Sequence, residues 1–106
     1  KAGKEYLKYL NKLWSEKIAD KEERIKFILA SFNTGVGHVL DARSLAEKYG
    51  KDKNKWSDVA YFLEKKSKPE FYRDPVVKFG YCRGHETVKY VSEILTRYKH
   101  YQNNLV

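Results

Sequence analysis

The chain has 106 residues, of which 42% are apolar and 34% charged, a composition of folded domains and not of disordered ones. Its 22 Lys and Arg against 14 Asp and Glu leave a net charge of +8, and its single Cys excludes an internal disulfide and a Cys-rich metal site. No apolar run approaches the ~20 residues of a membrane span, and there is no signal peptide.

This length accommodates one domain or a piece of one. The chain contains no Met and starts at Lys1, so it is expected to be a piece excised from a longer protein. The basic excess favours an anionic partner such as nucleic acid, anionic lipid or an acidic polysaccharide. The scattered Lys residues read equally well as a solvated surface.

In chain order, Lys4 to Ile18 reads as an amphipathic helix, with Tyr6, Leu7, Leu10, Leu13 and Trp14 on its apolar side. Asp20 followed by Glu23 is a capping-box pattern. It opens a second helix whose apolar stripe is Ile25, Ile28, Leu29 and Phe32. Asn33 and Thr34 end that run, and Gly35 and Gly37 break it. Gly37 to Tyr49 reads as a third helix, with Val39, Leu40, Ala42, Leu45, Ala46 and Tyr49 buried and Gly50 as its stop.

A polar loop over 51–55 leads to a short helix from Trp56 to Lys65. Ser67 to Glu70 reads as another capping box, with Pro69 in the first turn of a helix that Pro75 ends. Val76 to Arg83 is expected to be an extended loop, because no second strand is present to pair with it. From Gly84 the pattern is helical to about Tyr101, with Val88, Val91, Ile94, Leu95 and Tyr98 as the core stripe. The chain is therefore expected to be all-α, with five to six helices and no internal repeat.

Few residues combine into a chemical centre on pattern alone. His38 and Asp41 lie one helical turn apart, but two ligands fall short of the three or four that zinc needs, so no metal is expected. Cys82 and His85 resemble a nucleophile and base without a third, orienting group, and a lone Cys reads more simply as a small buried hydrophobe. No phosphate-cradling glycine loop is present, and no cofactor is expected. Nine Tyr, five Phe and two Trp are many for this length. Most lie on or beside apolar stripes, and those left beside a groove would stack bases or sugar rings.

The stretch Ala30-Ser31-Phe32-Asn33-Thr34-Gly35-Val36-Gly37-His38-Val39-Leu40-Asp41-Ala42-Arg43 resembles the Ala-Tyr-Asn-x-Gly-x-Gly-His-x-x-Asp-Ala-Arg signature of lytic murein transglycosylases, in particular the membrane-bound F type. Later segments agree in order and spacing. Trp56 with Val59 matches the tryptophan-containing loop and helix. Gly80-Tyr81-Cys82-Arg83-Gly84-His85-Glu86 resembles Gly-Tyr-x-Arg-Gly-x-Glu. Glu86-Thr87-Val88-Lys89-Tyr90-Val91 resembles Glu-Thr-x-x-Tyr-Val at the entry to the last helix.

The resemblance implies the C-terminal portion, residues 1–106, of a lysozyme-like, all-helical catalytic domain. Such enzymes cleave the bond between N-acetylmuramic acid and N-acetylglucosamine without water. One glutamic acid protonates the leaving oxygen. Its carboxylate then takes the muramic acid 6-hydroxyl proton, and a 1,6-anhydro product forms. That acid needs a pKa raised by an apolar pocket. In the family it lies in a Glu-Ser segment followed by a Gly-Leu-Met-Gln segment, and neither is in this chain. Phe32 stands where the family has Tyr, so the ring is kept and the phenol hydroxyl is not.

By position the resemblance carries over a groove wall, with Phe32, Asn33, Glu86 and Tyr90 as substrate-binding residues and no catalytic residue. The expected partner is the peptidoglycan glycan strand and not nucleic acid. The expected state is a monomer in a bacterial cell envelope, periplasmic or at the outer membrane, with any membrane attachment supplied upstream. The alternatives are a non-catalytic peptidoglycan-binding module and a basic helical nucleic-acid-binding domain. On local chemistry alone Asn33 is a turn cap, Glu86 a charge that suits a helix start, and Tyr90 core packing.

Overall fold

A computed structural model describes residues 2–105, with side chains described for 3–100 and for Asn103. Six helices run through the described residues and no strand is present among them: α1 Ala2–Lys17, α2 Lys21–Thr34, α3 Val36–Lys48, α4 Trp56–Lys65, α5 Pro69–Tyr72 and α6 Gly84–Leu105. The all-α expectation holds. No helix among the described residues is long and apolar enough to cross a membrane.

The second helix is central, because α1, α3 and α6 all pack against it. That position explains a departure from its expected stripe. Ile28 is buried and Leu29 half-buried, but Ile25 and Phe32 are exposed. The buried line runs instead through Phe27, Ala30 and Ser31. Phe27 sits between Trp14 and Trp56, with ring centroids 5.2 and 5.4 Å away. Trp14 Nε1 donates to Ser31 Oγ at 2.9 Å, so the buried indole N–H and the buried hydroxyl satisfy one another. On α1 the spacing works at Leu10 and Trp14, both buried, as is Ile18 just past its end, while Leu7 is exposed.

The start of α2 is half as expected. Asp20 Oδ1 accepts from the Glu22 and Glu23 backbone N–H groups at 2.9 and 3.1 Å. Glu23 does not complete the box. Its Oε1 accepts from the Trp56 backbone N–H at 2.5 Å, and its Oε2 pairs with Lys26 at 2.9 Å. The acid thus caps α4, whose N-cap position, Lys55, makes no side-chain cap bond. The Ser67–Glu70 box is also absent. Ser67 Oγ donates to the Glu64 carbonyl, and α5 starts from an uncapped Lys68 with Pro69 in its first turn. Pro needs no partner for a missing N–H, which is why α5 starts there without a cap.

Gly50 stops α3 as its sequence predicts. It takes φ +76°, the Lys51 N–H bonds to the Ala46 carbonyl at 2.7 Å, and its own N–H bonds to Glu47 at 3.1 Å. This is the Schellman arrangement. Tyr49 closes the helix exposed, not buried. In α6, Val91 is buried and Val88, Ile94 and Leu95 are half-buried, while Tyr98 is exposed. The helix runs to Leu105, four residues past its expected end. Val76 to Arg83 is irregular, in keeping with the expected loop.

Candidate groove wall at the α2–α6 junction

Two glycines decide how the helix ends meet. Gly35 takes φ +102° and is at once the last cap of α2 and the first of α3, donating its N–H to Ser31 at 2.8 Å. A residue with a Cβ would be strained there. Gly84 opens α6 flat against α4: a Cβ added to it would lie 2.0 Å from the Leu63 carbonyl oxygen. Only glycine lets the first turn of α6 come this close to the α4 backbone.

That approach delivers Thr87, buried, to Asn33 at the end of α2. Thr87 Oγ1 donates to Asn33 Oδ1 at 2.8 Å. Asn33 is exposed, and its side-chain NH2 has no partner among the described residues. Glu86 precedes Thr87 in α6, and Tyr90 follows Glu86 by one helical turn. The Tyr90 ring is half-buried against the core. Glu86 is solvent-exposed and pairs with Arg83 at 2.8 Å. The structure thus joins Thr87 to Asn33, with Glu86 paired to Arg83 and Tyr90 of the same helix packed on the core. Phe32 points elsewhere: its exposed ring lies 6.1 Å from that of Tyr6, on the α1 side.

The carboxylates at or near this junction and in the core are ion-paired. Glu86 is exposed and ion-paired. The buried carboxylates are Asp41 and Asp74, and each holds a lysine, at 2.7 and 2.6 Å. The Lys48 hydrogen bond, helped by the Val76 N–H, holds Asp74 below the usual carboxylate range. The setting of Asp74 favours the anion, the reverse of what a general acid requires.

One cluster escaped the sequence reading. Asp41, buried on α3, accepts from Lys66 Nζ at 2.7 Å and from the Lys78 and Phe79 backbone N–H groups at 2.8 Å each. Lys66, fully buried after α4, also meets His38 Nδ1 at 2.8 Å. An ammonium only donates, so His38 Nδ1 accepts and its proton is on Nε2. Burial, and then the Lys66 charge, push the His38 pKa down against the pull of Asp41. Burial also lowers Lys66, opposed by its bond to Asp41.

The His38–Asp41 pair thus holds an ammonium of its own chain. Among the described residues no group of three or more His, Cys, Asp and Glu could hold a metal. The pair staples the 78–79 backbone to α3 and seats Phe79 over Gly37, where a Cβ would meet the ring at 2.7 Å. Only the Asp41 and His38 spacing was a signal for this cluster. Lys is seldom buried, and nothing in the local pattern marks Lys66 as an exception.

Cys82 is buried, with Sγ 3.4 Å from Thr34 Oγ1. His85 is directed to Glu64, 3.6 Å away, and not to the thiol. Arg43, the last residue of the signature, braces the 51–55 loop through the Lys53 carbonyl at 3.0 Å and Asn54 Oδ1 at 2.7 Å.

No protein-family model matches the chain. Individual proteins do. It is 40% identical over all 106 residues to the membrane-bound lytic murein transglycosylase F of Mannheimia succiniciproducens, covering 20% of that protein. To that of Maricaulis maris it is 44% identical over 89 residues, 81% of this chain and 19% of the relative. To that of Marinobacter nauticus it is 49% identical over 76 residues, 72% of this chain and 15% of the relative. The chain thus spans about a fifth of the length of the curated relatives it matches. An all-helical chain that carries the Asn33 turn and the Gly84–Glu86 helix entry, and aligns over 72–100% of its own length with these proteins, belongs to the membrane-bound lytic murein transglycosylase F family.

Proposed function

We propose that this chain is the C-terminal portion of a lytic transglycosylase catalytic domain, residues 1–106, acting on peptidoglycan in a bacterial cell envelope. The parent cleaves the β-1,4 bond between N-acetylmuramic acid and N-acetylglucosamine and forms the 1,6-anhydro end. The observation that carries this reading is the Thr87–Asn33 hydrogen bond, which joins the two most specific family segments in one place.

In this reading the chain supplies a groove wall. Asn33 accepts from Thr87 and offers its NH2 to a sugar carbonyl or hydroxyl oxygen. Glu86 and Tyr90 supply a carboxylate and a phenol for the hydroxyls of the same strand. Phe32 extends an apolar face on the α1 side of the turn. The acid comes from the upstream segment, and the buried Asp74 of this chain is held as an anion by Lys48. The net charge of +8 draws in a polymer whose lactyl and peptide groups are anionic.

The test is the release of anhydro-muropeptides from purified murein. The 106-residue chain alone should release none, and the parent protein should release them. Release by the chain alone would overturn the assignment of the acid to the upstream segment. A parent that binds murein without cleaving it would instead establish the non-catalytic binding module.

A further inference from the structure

Away from the Asn33–Thr87 contact the surface carries a cleft of about 620 Å³ at the C-terminal end of α3. Tyr49 closes α3, so the cleft is about 20 Å from the Gly35 turn along that 13-residue helix. Its floor is aromatic. Tyr49 lies parallel to Phe62, with centroids 5.4 Å apart and planes at 20°. Phe71 tilts against both, at 5.9 and 6.3 Å. Tyr61 stands on edge to Phe62, at 5.0 Å and 87°.

The packing is one-sided. Phe62 is buried, yet Tyr49 and Tyr61 remain 49% and 54% exposed. Single exposed aromatics are ordinary; two that share a buried neighbour and line one cleft make two steeply inclined walls of it. The rim is polar. Lys51 Nζ and Ser57 Oγ have no partner among the described residues. Asp58 Oδ2 accepts from the Asp52 N–H at 3.0 Å, which leaves Oδ1 open. Lys65 Nζ, 5.1 Å from the Tyr61 centroid, adds a second positive charge beside the rings.

We infer that this cleft is a second glycan-binding site, separate from the groove wall, that takes a pyranose ring of an amino-sugar polymer. A pyranose has an apolar C–H face and a rim of hydroxyls. The Tyr61 ring receives the face, the Tyr49 ring, set steeply across from it, walls the sugar's edge, Asp58 Oδ1 accepts from a hydroxyl, and Ser57 and Lys51 donate to ring substituents. The two lysines suit a sugar that bears a carboxylate, as the lactyl ether of muramic acid does. A nucleobase would stack on the same rings, and a thymidine tetranucleotide distinguishes it. The inference rests on the reading of the protein as glycan-acting, and places a second hold on the strand at a distance from the bond that breaks.

Titration of the isotope-labelled chain with chitotetraose, followed by backbone amide resonances, tests it. Resonances of Tyr49, Ser57, Tyr61 and Phe62 should shift saturably at millimolar sugar. Tyr61→Ala should weaken that response about tenfold, the loss of one stacking face. Tyr61→Leu, which keeps the bulk but not the flat ring, should weaken it similarly. The resonances of Asn33 and Thr87 report on the groove wall separately. Shifts at Asn33 and Thr87 with none at the cleft would overturn the second site and leave the proposed function standing. Cleft shifts without groove shifts would do the opposite. Cleft shifts unchanged in both Tyr61 variants, or obtained with a thymidine tetranucleotide and not with the sugar, would also overturn it.

Discussion

Lys66 Nζ lies 2.7 Å from Asp41 Oδ2 with the ammonium fully enclosed, and the pair ties the end of α4 to the middle of α3. Removal of one member leaves the other charge in the core. Lys66→Met is therefore expected to cost about 3–5 kcal/mol. The two backbone donors on Asp41 would soften the loss without replacing the counter-charge. Urea denaturation at neutral pH measures it, and a loss below about 1 kcal/mol would mean that the pair is a surface-like ion pair.

His38 makes the same cluster pH-dependent. Its pKa is lowered in the folded chain, so the unfolded chain binds the proton first as pH falls. Stability from this group is fully present above the unfolded value of ~6.5 and declines as pH drops from there towards the folded value. His38→Gln keeps an acceptor for Lys66 and removes the titration. The difference in denaturation midpoint between wild type and variant should thus change between pH 7.5 and 5 in the variant's favour. A difference that is flat with pH would refute the assignment.

Gly84 and Gly37 both sit under close neighbours, but the neighbours differ. At Gly84 the obstacle is the Leu63 backbone, which cannot yield without moving α4. At Gly37 it is the ring of Phe79, an exposed side chain free to turn away. Gly84→Ala should cost at least about 1–3 kcal/mol, the scale of overpacking, and Gly37→Ala clearly less. Equal losses in thermal denaturation would show that the loop at Phe79 is as rigid as the helix.

Asn33 has a structural half and a binding half, and one substitution separates them. Asn33→Asp keeps the acceptor for Thr87, whereas Asn33→Ala orphans a buried hydroxyl at a cost of about 1–3 kcal/mol. In the parent protein both variants should lose murein cleavage, but only the alanine variant should lose stability. If the aspartate variant cleaved murein at the wild-type rate, the NH2 group would have no part in binding.

Local pattern determined much of this chain. Helix periodicity, the Asp20 cap, Pro69 and Gly50 are near-neighbour effects, and the five main helices and their order were legible from them. The family motifs were legible too, because their residue types and spacing stand in the chain itself. Tertiary structure decided which residue each polar group meets. Glu23 suits its own helix start, yet Trp56, 33 positions away, offers it an unpaired N–H. Lys66 is buried because Asp41, 25 positions earlier, receives it. Ile25, Phe32, Tyr49 and Tyr98 carry the right period and are exposed, because a stripe marks a helix face and not the neighbour that covers it. The Phe32–Gly37 turn was visible at once as a helix break. Its hold on α6 was not, because the Asn33–Thr87 bond spans 54 positions and depends on the missing Cβ of Gly84.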